Sequence, residues 1–278
     1  MPSDLYLEPP LSLVAVGDEQ RIAVRQAGGG DGTPLVLLHG IGSNSSAWAG
    51  QFAGFAPTRR VIAWNAPGYP GSTPLTARSP TAGDYGTRVI ALLDALDIER
   101  AVLVGQSLGA IMGTAAVLLQ PERFVCAVLA SPASGYATPE GAPIPASVAE
   151  RLDEVARTGP AGLAERRAPR LLTERASPEA RAIIHRVMSE VTVEGYAQAS
   201  RMLAHADLTS DVARLRIPTL VMWGDEDIVT PPAGCARIAA AVPGGQHRVI
   251  PRVGHGFATE APALFNAALA DFLSQIED

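Results

Sequence analysis

The sequence predicts an α/β protein: a mostly parallel, twisted sheet flanked by helices, with a helical cap inserted in it. Three observations carry this. Short continuous apolar runs end at Leu38, Trp64, Val104, Ala130 and Trp223, and such runs mark strands covered on both faces. Segments of helical periodicity separate most of them, and strands alternating with helices make a parallel sheet. From about Ala133 to His205 the rhythm breaks. That stretch is first proline-rich, then helical and charged, and is far longer than an ordinary connection. The expected division is a first core part over 1–132, a cap over 133–206 and a second core part over 207–278. A chain of 278 residues with 47% apolar content can bury such a core.

The elements follow in order. Leu13 to Val16 and Arg21 to Gln26 alternate as a hairpin about Gly17-Asp18, and Gly28 to Gly32 read as a flexible loop. Pro34 to Leu38 is a buried strand leading into His39-Gly40-Ile41-Gly42-Ser43, and Arg60 to Trp64 is another, leading into the turn-rich Asn65 to Ser72. Thr81 to Leu96 has Val89, Leu92, Leu93 and Leu96 on one helical face. Ala101 to Val104 is a strand, Leu108 to Gln120 a helix, and Phe124 to Ala130 a strand after Pro121-Glu122-Arg123 stops that helix. Beyond the cap, Pro218 to Trp223 and His247 to Ile250 read as strands, and Gly234 to Ala241 and Ala261 to Ile276 as helices.

Composition narrows the chemistry. The net charge is −6 and the arginines are dispersed, so no nucleic-acid partner is expected. Lys is absent, which removes a Schiff-base lysine, a Ser-Lys dyad and a P-loop together. Cys126 and Cys235 lie in a predicted strand and helix and read as buried thiols. No His or Cys spacing suggests a metal site, and no cofactor is expected. The uncharged run Ala101 to Leu119 is interrupted by three glycines, Gln106 and Ser107, which suits strand-turn-helix better than a membrane span. Met1 to Asp4 lacks a basic start before an apolar core, so a cytoplasmic protein with a small-molecule substrate and no membrane partner is expected.

The stretch Gly105-Gln106-Ser107-Leu108-Gly109 organises the rest. A Gly-x-Ser-x-Gly at a strand-to-helix junction is a nucleophile elbow, where the serine sits on a strained turn above the sheet edge. The flanking glycines are expected because a Cβ there would collide with the opposite element. Ser107 then needs an imidazole to take its proton and a carboxylate to orient that imidazole. Ligand sites in such sheets lie beyond the carboxyl ends of the strands, and this filters the histidines. His185 and His205 belong to the cap and its hinge, and His247 starts a strand at the wrong end. His255 lies in the loop after that strand, at the right end. His39 precedes the nucleophile and, with Gly40, suits shaping an oxyanion loop. In Gly224-Asp225-Glu226-Asp227 any of three carboxylates could reach the imidazole; Asp227 is preferred and Asp225 held in reserve. The oxyanion donors expected are the N–H groups of Leu108 and Ile41.

The set His39-Gly40, Gly105 to Gly109, Gly224 to Asp227 and Gly254-His255 resembles the α/β-hydrolase superfamily along essentially the whole chain. Within it the chain is most similar to the 3-oxoadipate enol-lactonase and carboxylesterase branch, through Glu194-Gly195-Tyr196, Ala206-Asp207-Leu208 and Ile217 to Val221. The resemblance implies a cofactor-free serine hydrolase with its acid at the third position after the loop glycine, Asp227. Asn65 stands where the family usually has Asp, and Gly68-Tyr69-Pro70-Gly71-Ser72 where it usually reads Gly-x-Gly-x-Ser, changes expected at the pocket rim. The Ser-Met-Gly-Gly elbow usual in meta-cleavage C–C hydrolases is absent, which ranks that activity second.

The expected activity is hydrolysis of a small ester or lactone through an acyl-enzyme on Ser107. A slow-turnover ligand-binding receptor on the same fold is the alternative from another class. His39, Gly40, Gln106, Trp48, Arg167 and Met188 are the candidate pocket residues. Among Arg166, Arg167, Arg170 and Arg175, one could pair with a substrate carboxylate, against a plain solvated face. Leu163, Leu171, Leu172, Val187 and Met188 are expected on the apolar underside of the cap.

Overall fold

A computed structural model describes residues 6–139 and 141–277. Eight strands form one sheet: β1 (Leu11–Ala15), β2 (Arg21–Ala27), β3 (Gly32–Leu38), β4 (Arg59–Trp64), β5 (Ala101–Gln106), β6 (Phe124–Ala130), β7 (Thr219–Gly224) and β8 (Gln246–Ile250). Their spatial order is β1-β2-β4-β3-β5-β6-β7-β8. β2 pairs antiparallel with β1 and β4, and every other pairing is parallel. The chain leaves β3 in one direction to β4 and returns on the other side to β5. That reversal opens a crevice at the carboxyl ends of β3 and β5, where the elbow sits.

Both faces are covered, which explains why the strands read as unbroken apolar runs. Leu35, Leu37, Val102 and Val104 pack with Phe52 and Phe55 of α1 (Ala49–Phe55) and with Phe265, Leu269 and Phe272 of α10 (Pro262–Glu277). Val36, Leu38 and Leu103 point the other way, toward α2 (Ala82–Ala95), α3 (Leu108–Leu119) and α8 (Pro232–Ala241). Period two therefore survives in direction though not in polarity. α2 starts at a capping box, with Thr81 Oγ1 accepting from the Asp84 N–H and Asp84 Oδ2 from the Thr81 N–H. The loop expected to be free is tied down at Gly28, Gly30 and Gly32, which lie against Ala56, Thr58 and Arg59, while Gly29 stands clear. A Cβ on Gly28 would lie 2.4 Å from the carbonyl oxygens of Ala56 and Arg59, so the loop runs directly against that backbone.

Between β6 and β7 the described residues hold no strand. They form α4 (Ala146–Arg167), a 3₁₀ turn over Ala168–Leu171, α5 (Pro178–Ser189), α6 (Val193–His205) and α7 (Leu208–Val212). Gly159 at φ +64°, followed by Pro160, kinks α4. Leu163, Ile184, Met188, Tyr196 and Leu203 from this segment join the α2/α3 core. α6 touches the loop after β4 closely: a Cβ on Gly195 would lie 2.4 Å from the Gly68 oxygen, and Gln198 Nε2 donates to the Leu75 carbonyl at 2.6 Å.

Candidate active site

β5 delivers Ser107 into a backbone conformation of φ +54° and ψ −113°. Such a conformation costs a non-glycine residue about 1–3 kcal/mol and persists only where its surroundings impose it. Here the Ser107 N–H donates to the Ala130 carbonyl at 2.9 Å, and the Ser107 carbonyl accepts from the N–H groups of Ala110 and Ala133. A Cβ on Gly105 would lie 2.4 Å from the Gly109 oxygen, on the helix side of the turn. A Cβ on Gly109 would meet the Leu38 oxygen at 2.1 Å, so its obstacle is the end of β3 rather than the strand leading into the turn.

His255 lies between β8 and α9 (Phe257–Glu260), its imidazole buried beside Asp227. Asp227 Oδ2 accepts from His255 Nδ1 at 2.8 Å, which assigns the proton to Nδ1 and leaves Nε2 basic. Asp227 Oδ1 accepts from the N–H groups of Val229 and Thr230 at 2.8 and 2.9 Å, and Oδ2 also accepts from Thr230 Oγ1 at 2.8 Å. Burial pushes this carboxyl up, but His255 and the Thr230 bonds outweigh it and hold it below its ordinary range. Asp225 is turned away and accepts from the Arg252 N–H at 2.6 Å, while Glu226 pairs with Arg175. Thr230, which sequence reasoning did not single out, places its hydroxyl 3.1 Å from both His255 Nδ1 and the Ser131 oxygen. Its place three residues after Asp227, where an Asp side chain caps local N–H groups, was the available signal.

Ser107 and His255 line one cavity of about 310 Å³ beneath the helical segment. No hydrogen bond joins their side chains among the described residues; catalytic hydrogen bonds often close only around substrate. Gln106 Nε2 donates to the His255 carbonyl at 3.0 Å, tying the elbow to the histidine loop. Ile41 and Leu108 also line the cavity, and Leu108 opens α3, where the first N–H groups have no acceptor in their own helix. The Gly40 carbonyl is held by His39 Nδ1 at 2.8 Å. In a trans peptide the N–H points opposite to the C=O, so this contact turns the Ile41 N–H away from the His39 ring.

Of the pocket residues expected from sequence, Gly40, Gln106, Arg167 and Met188 line the cavity. His39 and Trp48 do not. Trp48 packs edge-on to Phe265 at 5.8 Å on the opposite face of the sheet, because the segment before α1 dives into that core. His39 is buried behind the loop it shapes: its Nε2 accepts from the Ala66 N–H at 3.0 Å, and burial pushes its pKa down to about 4, against a smaller upward pull from the Gly40 carbonyl. Residues 65–72 do not line this cavity either, so their departures from the family pattern fall on its support. Tyr69 there donates to the Ile41 carbonyl at 2.6 Å. Arg170 lines the cavity, whereas Arg166 pairs with Glu154 and Arg175 with Glu226 outside it. Arg151 and Leu203 also line the wall without having been singled out, and so does Tyr196, which the sequence marked only through its family resemblance. Burial pushes the Cys235 thiol up to about 12, leaving it inert. Among the described residues no cluster of His, Cys, Asp or Glu could hold a metal, and no helix is long and apolar enough to cross a membrane.

The 3-oxoadipate enol-lactonase 2 of Acinetobacter baylyi is 31% identical over 76% of this chain and 78% of its own length. The dihydrolipoyllysine-residue acetyltransferase component of the acetoin cleaving system of Pseudomonas putida is 30% identical over 89% of this chain, which spans only 65% of that relative. A thermophilic esterase from Thermogutta terrifontis superposes with a TM-score of 0.85 at 26% identity, covering 97% of this chain and all of its own. Residues 33–262 match the model of the alpha/beta hydrolase fold. The chain belongs to that family and is a hydrolase.

Proposed function

We propose that the chain hydrolyses a small carboxylic ester or lactone through an acyl-enzyme on Ser107. The observation that carries this is the buried Asp227–His255 hydrogen bond at 2.8 Å, in the wall of the cavity into which the strained Ser107 opens. Ser107 Oγ attacks the carbonyl carbon as His255 Nε2 takes its proton, and Asp227 stabilises the imidazolium that forms. The developing oxyanion receives the N–H groups of Leu108 and Ile41; each such donor is worth on the order of a hundredfold or more in turnover. Collapse breaks the C–O bond, and His255 returns its proton to the leaving alkoxide. Water then repeats the cycle on the acyl-enzyme, releasing the acid and restoring Ser107. Residues 133–206 act as a cap over the cavity, and Gln106 holds the histidine loop in register with the elbow.

The test is hydrolysis of short-chain p-nitrophenyl esters and lactones by the wild type and Ser107→Ala, with fluorophosphonate labelling in parallel. Loss of an activated serine lowers turnover by roughly 10⁵–10⁶-fold in comparable triads, and labelling should vanish with it. Turnover surviving the substitution, or a label on another residue, contradicts the assignment. Ring-cleavage diketones belong in the same panel, because preference for them over esters reassigns the bond broken from C–O to C–C.

A further inference from the structure

Among the described residues the cavity wall carries Arg151, Arg167 and Arg170 and no Asp or Glu. That is a pronounced local excess in a chain of net charge −6. Arg167 is already committed: its Nε donates to Glu154 Oε2 at 2.6 Å, and Glu154, behind the wall, holds Arg166 as well. Arg151 on α4 and Arg170 on the following 3₁₀ turn pair with no carboxylate among the described residues. A guanidinium does not shed its proton, so an unpaired pair at one cavity attracts an anion with matching acceptor geometry. The rest of the lining includes Ile41, Ile184, Met188 and Leu203, which suit a short apolar chain, and about 310 Å³ lies at the small end of ligand cavities.

Resting on the hydrolase reading above, we infer that the substrate carries a carboxylate remote from the scissile bond, and that Arg151 and Arg170 bind it. Arg167, the cationic pocket residue named from sequence, instead joins the two halves of α4 across its kink through Glu154. The consequence is selectivity: the enzyme takes an ester or lactone of a dicarboxylic acid ahead of its neutral counterpart.

Two substrates of equal acyl length separate the ideas, p-nitrophenyl valerate and mono-p-nitrophenyl glutarate. The wild type should favour the glutarate in kcat/KM by about tenfold or more at low salt, since a charge-assisted contact is worth at least that. The preference should shrink as ionic strength rises. Arg151→Gln and Arg170→Gln should each lower the glutarate-to-valerate ratio by roughly tenfold, while Arg216→Gln, an exposed arginine outside the cavity, should leave it unchanged. Valerate turnover that depends on Ser107 without any glutarate preference overturns the anion inference and leaves the hydrolase reading standing. Were no ester or lactone of the panel cleaved, the ester-or-lactone reading would fall, and thermal stabilisation by glutarate against glutaramide still decides the anion site. Equal stabilisation by both, or stabilisation by glutarate that persists in Arg151→Gln and Arg170→Gln, counts against it.

Discussion

Asp225 and Asp227 stand two residues apart in one loop and have opposite duties. Asp225 accepts from the backbone N–H of Arg252, a residue at φ +60°, and so fastens the turn after β8. Asp227 faces the imidazole and has all its acceptor positions directed by Val229, Thr230 and His255. Asp227→Asn should therefore lower kcat by roughly 10⁴-fold, the size seen when a triad acid loses its charge and with it the correct tautomer. Asp225→Asn should keep kcat within about threefold and cost about 1–2 kcal/mol of stability, the worth of weakening one charge-assisted bond. Steady-state kinetics with urea unfolding on both variants distinguishes them, and equal kinetic losses would contradict this division. Spacing alone left the two carboxylates open because either lies within one loop's reach; what separates them is the direction of local N–H groups, which a sequence does not display. Trp48 illustrates the reverse error: it was expected at the pocket, but the 3₁₀ turn over Ser45–Trp48 sends its side chain to the other core.

At the scale of elements, the elbow is legible because its glycines answer to backbone contacts rather than to side-chain fashion. β6 was readable to its ends, and α2 to within a residue, since one is a continuous apolar run and the other a capped amphipathic helix. α1 was not read: Ala49 to Phe55 is too short, and too rich in Ala and Gly, for periodicity to register. The helical segment was expected as a block, but the kink at Gly159 and the lie of its arginines depend on packing that no single periodicity encodes. Gly109→Ala tests the elbow. Its Cβ would stand 2.1 Å from the Leu38 oxygen, where strand and helix must both give way, and a loss above about 4 kcal/mol is expected for such an overpacked core site. Gly29→Ala, with nothing within 4 Å of the added carbon, should leave the Tm within a few degrees of wild type. Calorimetry on the pair checks this; a mild Gly109→Ala would mean that the close approach of α3 to β3 is not required.

The whole molecule joins its site to its stability through one buried histidine. His39 bridges the loops after β3 and β4, accepting from the Ala66 N–H and donating to the Gly40 carbonyl, with Tyr69 edge-on at 4.7 Å. It can do both only as the neutral Nδ1–H tautomer, and burial pushes its pKa from the ordinary 6.5 to about 4. Below pH 6.5 the unfolded chain therefore takes up a proton that the folded chain refuses until about pH 4. The stability this residue contributes is complete above pH 6.5, falls through the window down to about pH 4, and is constant below it. The full fall is on the order of 3 kcal/mol. Asp227, depressed rather than raised, acts in a separate window: its contribution is present above the ordinary 3.8 and disappears as pH falls through its lower folded value. Urea midpoints measured from pH 7 to pH 4 should thus decline for the wild type and decline less, by one proton's worth of slope, for His39→Gln, which keeps a donor and an acceptor but cannot titrate. The variant should be less stable at pH 7, where it lacks the packing on Tyr69, and should close much of that gap at pH 4.5. Parallel declines in the two proteins would mean that the Gly40–Ile41 peptide is not held by a neutral imidazole, and that the direction assigned to the Ile41 N–H needs another cause.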